Sequence, residues 1–177
     1  MERDELLIKH QQMLGSLSCL PKKLMSVHTL DNATEFVLHE LCNQGCFNLH
    51  KAAYFIDNPD FNILKGVAGF SQAEAYTEWD QIWNNPEAFT TFMQNSDFNQ
   101  KTRKFCVESA HRNQKAYGDV LLELAHELGV VEPAFVSWDI KHDNKGLLLY
   151  EKQGVDVVPF EEHFLNSLYL LNFCPTY

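Results

Sequence analysis

The stretch Lys51-Ala-Ala-Tyr-Phe-Ile-Asp-Asn-Pro-Asp-Phe-Asn-Ile-Leu-Lys-Gly-Val-Ala-Gly-Phe70 decides the fold class. Ala52 to Ile56 is rich in aromatic and β-branched side chains, which suit a pleated, half-buried surface. Asp57-Asn58-Pro59-Asp60 follows, and Asx residues beside Pro favour a turn. Asn62 to Phe70 then returns, with Gly66 and Gly69 permitting a bulge or a close backbone approach. The segment predicts a β-hairpin over residues 51 to 70.

Upstream, residues 32 to 44 read as a helix. Asp31 or Asn32 can cap it, and Glu35 stands three after Asn32 as in a capping box. Ala33, Val37 and Leu41 form its apolar stripe, widened by Phe36 and Leu38, and Gly45 is its expected stop. Residues 4 to 19 carry Leu6, Leu7, Met13, Leu14 and Leu17 at helical spacing, and Pro21 is expected to end that helix.

Downstream, residues 71 to 110 are polar and aromatic without clean periodicity. They predict short helices and loops, then a short strand near Lys104 to Glu108. Residues 114 to 128 form an amphipathic helix ended by Gly129. Residues 134 to 152 predict a second hairpin that turns at His142 to Gly146. Residues 159 to 173 predict a closing helix, with Pro159 in its first turn and Glu161 and Glu162 at its positive end.

This order implies an α/β (α+β) domain, an antiparallel sheet of six strands or a similar number with helices packed on its faces. Residues 1 to 22 are read as an N-terminal helix for packing or dimerisation, and residues 23 to 177 as one domain.

The chain of 177 residues has 14 Lys plus Arg against 24 Asp plus Glu, a formal charge of −10. Only Arg3, Arg103 and Arg112 are arginines. Such a surface repels phosphate backbones and anionic membranes, so neither nucleic acid nor membrane is expected as a partner. Five cysteines, an odd number, suggest reduced thiols and a cytoplasmic protein.

Two families share features with this chain. Leu30 to Leu41, then Lys51-Ala-Ala-Tyr-Phe-Ile-Asp57 and Ile63-Leu-Lys-Gly-Val-Ala-Gly-Phe-Ser71, resemble the opening helix and first two strands of GAF domains. Lys145-Gly-Leu-Leu-Leu-Tyr150 and Phe160 to Leu168 resemble that family's late strand and last helix. The likeness runs from about residue 24 to 173. It implies a regulatory domain that binds a small molecule, or a redox or gas signal, between the sheet and residues 72 to 113. The signal would pass through the terminal helices to a protein partner or a second copy. Residues 72 to 113 depart from the family's common pattern, so neither ligand nor cofactor is named.

The second likeness is to GNAT acetyltransferases. Val107-Glu-Ser-Ala-His-Arg112 resembles their CoA-binding strand and arginine, and Leu149-Tyr150-Glu-Lys-Gln-Gly154 their late signature. That likeness would make Tyr150 a general acid on the leaving thiolate. Lys115 and Tyr117 stand where the family's phosphate cradle has small residues. A third reading is a domain that acts only in protein assembly.

The candidate ligand-binding residues are Trp79, Trp83, Phe92, Phe105, Cys106, His111, Arg112 and Trp138. The aromatics could wall a site for a flat ligand or be ordinary core and lid packing. Cys106 beside His111 and Arg112 could be a reactive thiol or a core cysteine. His111 and Arg112 could hold an anion or lie solvated. His39, Cys42, Cys46 and His50 are metal-ligating types spaced by three, four and four, although Gly45 would break their common face.

Overall fold

The computed structural model describes residues 3–74, 81–153 and 160–175. Helix α1 spans Arg3–Val27 and α2 Ala33–Cys42. Strands β1 (Leu49–Asn58) and β2 (Ile63–Ser71) form the first hairpin. Helices α3 (Pro86–Asn95) and α4 (Asp97–Lys104) lead into the two-residue strand β3 (Cys106–Val107). Helix α5 (Tyr117–Glu127) precedes β4 (Pro133–Asp139) and β5 (Lys145–Lys152), and α6 (Glu161–Leu168) continues as a 3-10 turn over Tyr169–Phe173. The fold is mixed α+β, with an antiparallel sheet of five strands among the described residues, ordered β3-β2-β1-β5-β4.

Alternation along β1 divides the interior. Ala52 and Tyr54 face one apolar cluster with Phe36, Phe89, Trp138 and Phe164. Ala53 and Phe55 face another with Leu64, Leu121, Leu124 and Leu149. Side chains on a strand point to opposite faces in turn, so helices cover the sheet on both sides.

Gly66 and Gly69 serve a close approach. A Cβ on Gly66 would fall well inside the Thr102 carbonyl group, and one on Gly69 inside the Thr102 hydroxyl. The β1–β2 register also shifts between Tyr54 and Phe55. Gly129 sits at φ +67 just past α5, a left-handed position where glycine carries no steric cost.

Several boundaries differ from the sequence reading. α1 runs through Pro21 to Val27 instead of stopping there. Leu20 and Val27 are buried on either side of the proline, so packing outweighs the lost helical bond. Asn32 precedes α2 but its side chain makes no capping bond, and α2 ends at Cys42, before Gly45. Among the described residues, no helix is long and apolar enough to cross a membrane.

Candidate functional site

A cleft of about 340 Å³ opens between the α1–α2 loop, α2, α3 and α4. Asn32, Glu35, Thr90, Met93, Gln94 and Arg103 line it, with the loop residues Thr29 to Asp31. Each element brings its side chain for a local reason. Ser96 accepts a hydrogen bond from the Asn99 N–H at 3.0 Å, capping α4 and turning the chain sharply out of α3. That turn sets α4 against β2, where the two glycines leave room, and carries Asn99 and Arg103 to Glu35.

Glu35 is 2% exposed. Burial pushes its carboxyl up to about 7, against the pull of its own backbone N–H, Arg103 and Asn99. Asn99 Nδ2 donates to Glu35 Oε1 at 3.3 Å and to the Met93 carbonyl at 2.9 Å. Asn99 Oδ1 accepts from the Gly69 N–H at 2.9 Å. One buried amide thus ties α4 to α2, α3 and β2. Arg103 Nη1 lies 3.4 Å from Glu35 Oε1, with its side chain about half exposed.

Asn32 is buried, and the Thr90 hydroxyl lies 3.2 Å from its amide oxygen, while its amide nitrogen has no partner. A buried unpaired amide group costs about 1–3 kcal/mol. The cleft therefore presents a guanidinium, a carboxyl near its midpoint at neutral pH, an amide and a hydroxyl. Chemically, a guanidinium suits carboxylate or phosphate geometry, and the amide and hydroxyl supply further polar partners.

The residues expected from the sequence are distributed differently. Trp83 lies against Phe36, with ring centroids 5.1 Å apart, and its Nε1 donates to Glu40 Oε2 at 3.2 Å. Trp138 stacks on Tyr54 at 5.7 Å and donates to Asn172 Oδ1 at 2.9 Å. Phe92 packs against the same cluster. Phe105 packs edge-on to Phe55 in the other cluster, across the sheet. Cys106 is exposed on the edge strand β3. Trp79 lies outside the described residues. The aromatic set is therefore split between the two faces rather than gathered in one wall.

His111 Nδ1 bonds Asp57 Oδ2 at 2.8 Å, and its ring lies against Tyr117. Asp57 is buried at the end of β1, so this pair anchors the segment after β3. Arg112 points outward to exposed Asp60 at 4.0 Å. The arginine in the cleft is Arg103. The clue available in the sequence was a basic residue in the last turn of a short helix behind Ser96-Asp97.

The metal candidates separate too. Burial pushes the Cys42 thiol up, and the Cys46 thiol up to about 12, which opposes the thiolate a metal needs. His39 is buried on α2, and burial lowers its imidazole to about 4, with Lys23 adding to the effect. His50 instead bonds Glu151 Oε1 at 2.8 Å. Among the described residues, no group of three or more His, Cys, Asp or Glu could hold a metal ion. Tyr150 is buried on β5 with its ring edge-on to Phe164, 5.1 Å away.

Comparison with family models, curated proteins and solved structures finds no match to this chain.

Proposed function

We propose that this chain is a GAF-like regulatory domain that binds a small polar molecule in the Glu35–Arg103 cleft. The observation that carries this reading is a buried Glu35 carboxyl 3.4 Å from the half-exposed Arg103 guanidinium in a cleft of about 340 Å³. A buried ionisable group with a specific charged partner in a cleft is a recognised mark of a functional site.

The position of the cleft supports a signalling role. Its wall includes Thr29 to Asn32, the loop that joins α1 to α2. A ligand that orders this loop biases the placement of α1. From α1 and α6 the signal passes to a protein partner or a second copy of the chain. All five thiols are free, which supports a cytoplasmic setting.

The test is a thermal-shift screen of small carboxylates, amino acids, nucleotides and acetyl-CoA against the wild type and Arg103→Ala. A compound that raises the melting temperature of the wild type and not of Arg103→Ala supports the cleft. A screen with no hit, or hits indifferent to Arg103, overturns it. A shift by acetyl-CoA that is lost on CoA-site substitutions and kept in Arg103→Ala would favour the acetyltransferase reading. A silent screen together with a stable dimer would favour the assembly reading.

A further inference from the structure

His10 on α1 and His163 on α6 stand 153 residues apart in sequence, yet their Nε2 atoms lie 3.2 Å apart. The ring centroids are 5.3 Å apart and the planes are inclined at 42°. His10 also stacks on Phe160 at 5.4 Å, which holds its ring in place. Both histidines are half-buried, so solvent reaches them.

Two neutral imidazoles at this distance share a proton, one Nε2 donating and the other accepting. The same separation suits two ligands on one ion. Two metal–nitrogen bonds of about 2.0–2.1 Å span it when they meet at about 100°, between the square and tetrahedral angles. We propose that His10 and His163 form a two-histidine clamp for a divalent transition-metal ion, pinning α1 to α6.

Imidazole selects the Ni²⁺, Cu²⁺ and Zn²⁺ class over Mg²⁺ and Ca²⁺, which prefer oxygen. Each ring offers its Nε2 lone pair and keeps its proton on Nδ1. The proton between the rings moves through solvent to the unprotonated Nδ1 of the donor ring, so neutral rings bind without net proton release. Among the described residues no third protein ligand joins the pair, and water completes the shell. The ion is therefore exchangeable, and its effect is to hold the first half of α1 against the last helix.

The experiment uses the full chain and Ni²⁺ alone as the probe, read by thermal unfolding. At a hundredfold excess over the dissociation constant, the melting temperature is expected to rise by about 5–10 °C. The rise is expected to vanish in His10→Gln and in His163→Gln, and to persist in His126→Gln, an exposed site on α5. Because His10→Gln could loosen α1 by itself, a second measurement uses the unaltered chain. Paramagnetic Ni²⁺ is expected to broaden the ring signals of His10 and His163 before those of the other six of the eight histidines. No rise in the wild type, a rise that survives both variants, or earlier broadening at other histidines would overturn the clamp.

Discussion

Glu35 and His39 lie one turn apart on α2, both almost wholly buried, and burial moves their titrations toward and past each other. The carboxyl rises from 4.5 to about 7, and the imidazole falls from 6.5 to about 4. From pH 4.5 to about 7, folded Glu35 keeps a proton that the unfolded chain has lost, so its contribution falls as pH rises. From pH 6.5 down to about 4, the unfolded chain protonates His39 while the folded one does not, so that contribution falls as pH drops. Each effect is worth about 3 kcal/mol over its full window.

The two slopes oppose each other where the windows overlap, between about pH 4.5 and 6.5. Their sum there is expected to be nearly flat. Glu35→Gln should expose the His39 slope, a steep loss of stability on acidification. His39→Phe, which keeps an aromatic ring beside Phe70 and Phe89, should expose the reverse slope. At pH 8, Glu35→Gln should be more stable than wild type by about 1–3 kcal/mol, because a buried charge is gone. Denaturant midpoints measured across pH check this, and parallel curves for the three proteins would reject it.

Arg112, the arginine that the sequence points to as a ligand contact, supplies a contrast to Arg103. Arg112 and Asp60 are both largely exposed, at 52% and 71%, and 4.0 Å apart. Arg112→Ala should change stability by no more than about 0.5 kcal/mol. It should also leave intact any ligand-induced thermal shift that Arg103→Ala removes. Equal loss of the shift in both variants would argue against the cleft.

Lys23 reaches from α1 to Glu40 at 3.1 Å, and its ammonium lies 5.4 Å from the centre of the Trp83 ring. Glu40 is 4% exposed, so removing the lysine leaves a buried carboxylate whose one remaining hydrogen-bond donor among the described residues is the Trp83 N–H. Lys23→Ala should cost about 2–4 kcal/mol. In a Glu40→Gln background the same change should cost much less, because no stranded charge remains. A double-mutant cycle by urea unfolding measures this. Equal costs in both backgrounds would show that the pair is not coupled.

Gly66 and Gly118 should answer an alanine in opposite directions. At Gly66 the new methyl meets the Thr102 backbone, which cannot swing aside as a side chain would. The expected cost is about 3 kcal/mol or more. At Gly118, in the first turn of α5, nothing lies within 4 Å, so alanine should stabilise by up to about 1 kcal/mol. Thermal melts of the two variants provide the comparison.

The readable parts of this fold were those governed by local periodicity and turn chemistry. Both hairpins follow from alternation and turn chemistry, and α5 from helical spacing with Gly129 behind it. α2 and the closing helix follow from helical spacing alone, since the Asn32 side chain does not cap α2, Gly45 lies past its end and Pro159 lies outside the described residues. The short helices and the strand before His111 also fall inside the polar aromatic segment where they were expected. What local pattern could not show is where long-range packing overrides it. Glu35 looked like the far half of a capping box, but it turns inward to Asn99 and Arg103, which lie 64 and 68 residues away. His111 and Arg112 looked like a pair, but one faces a buried aspartate and the other faces solvent. Neighbours on an irregular turn share no face, so adjacency in sequence said nothing about common direction.

Pro21 has one more consequence. It has no amide hydrogen, so the helical bond that would reach the Leu17 carbonyl is absent within α1. The segment after it is tethered by Lys23, while the segment before it is held by Met13 and His10, with Leu7 and Ile8 more than half exposed. The amides of the first half of α1 should therefore exchange with deuterium through a local opening that leaves the sheet closed, while those of β1 and β5 wait for global unfolding. On that expectation the longest helix of the described chain behaves as two units of unequal stability, the one before Pro21 opening first.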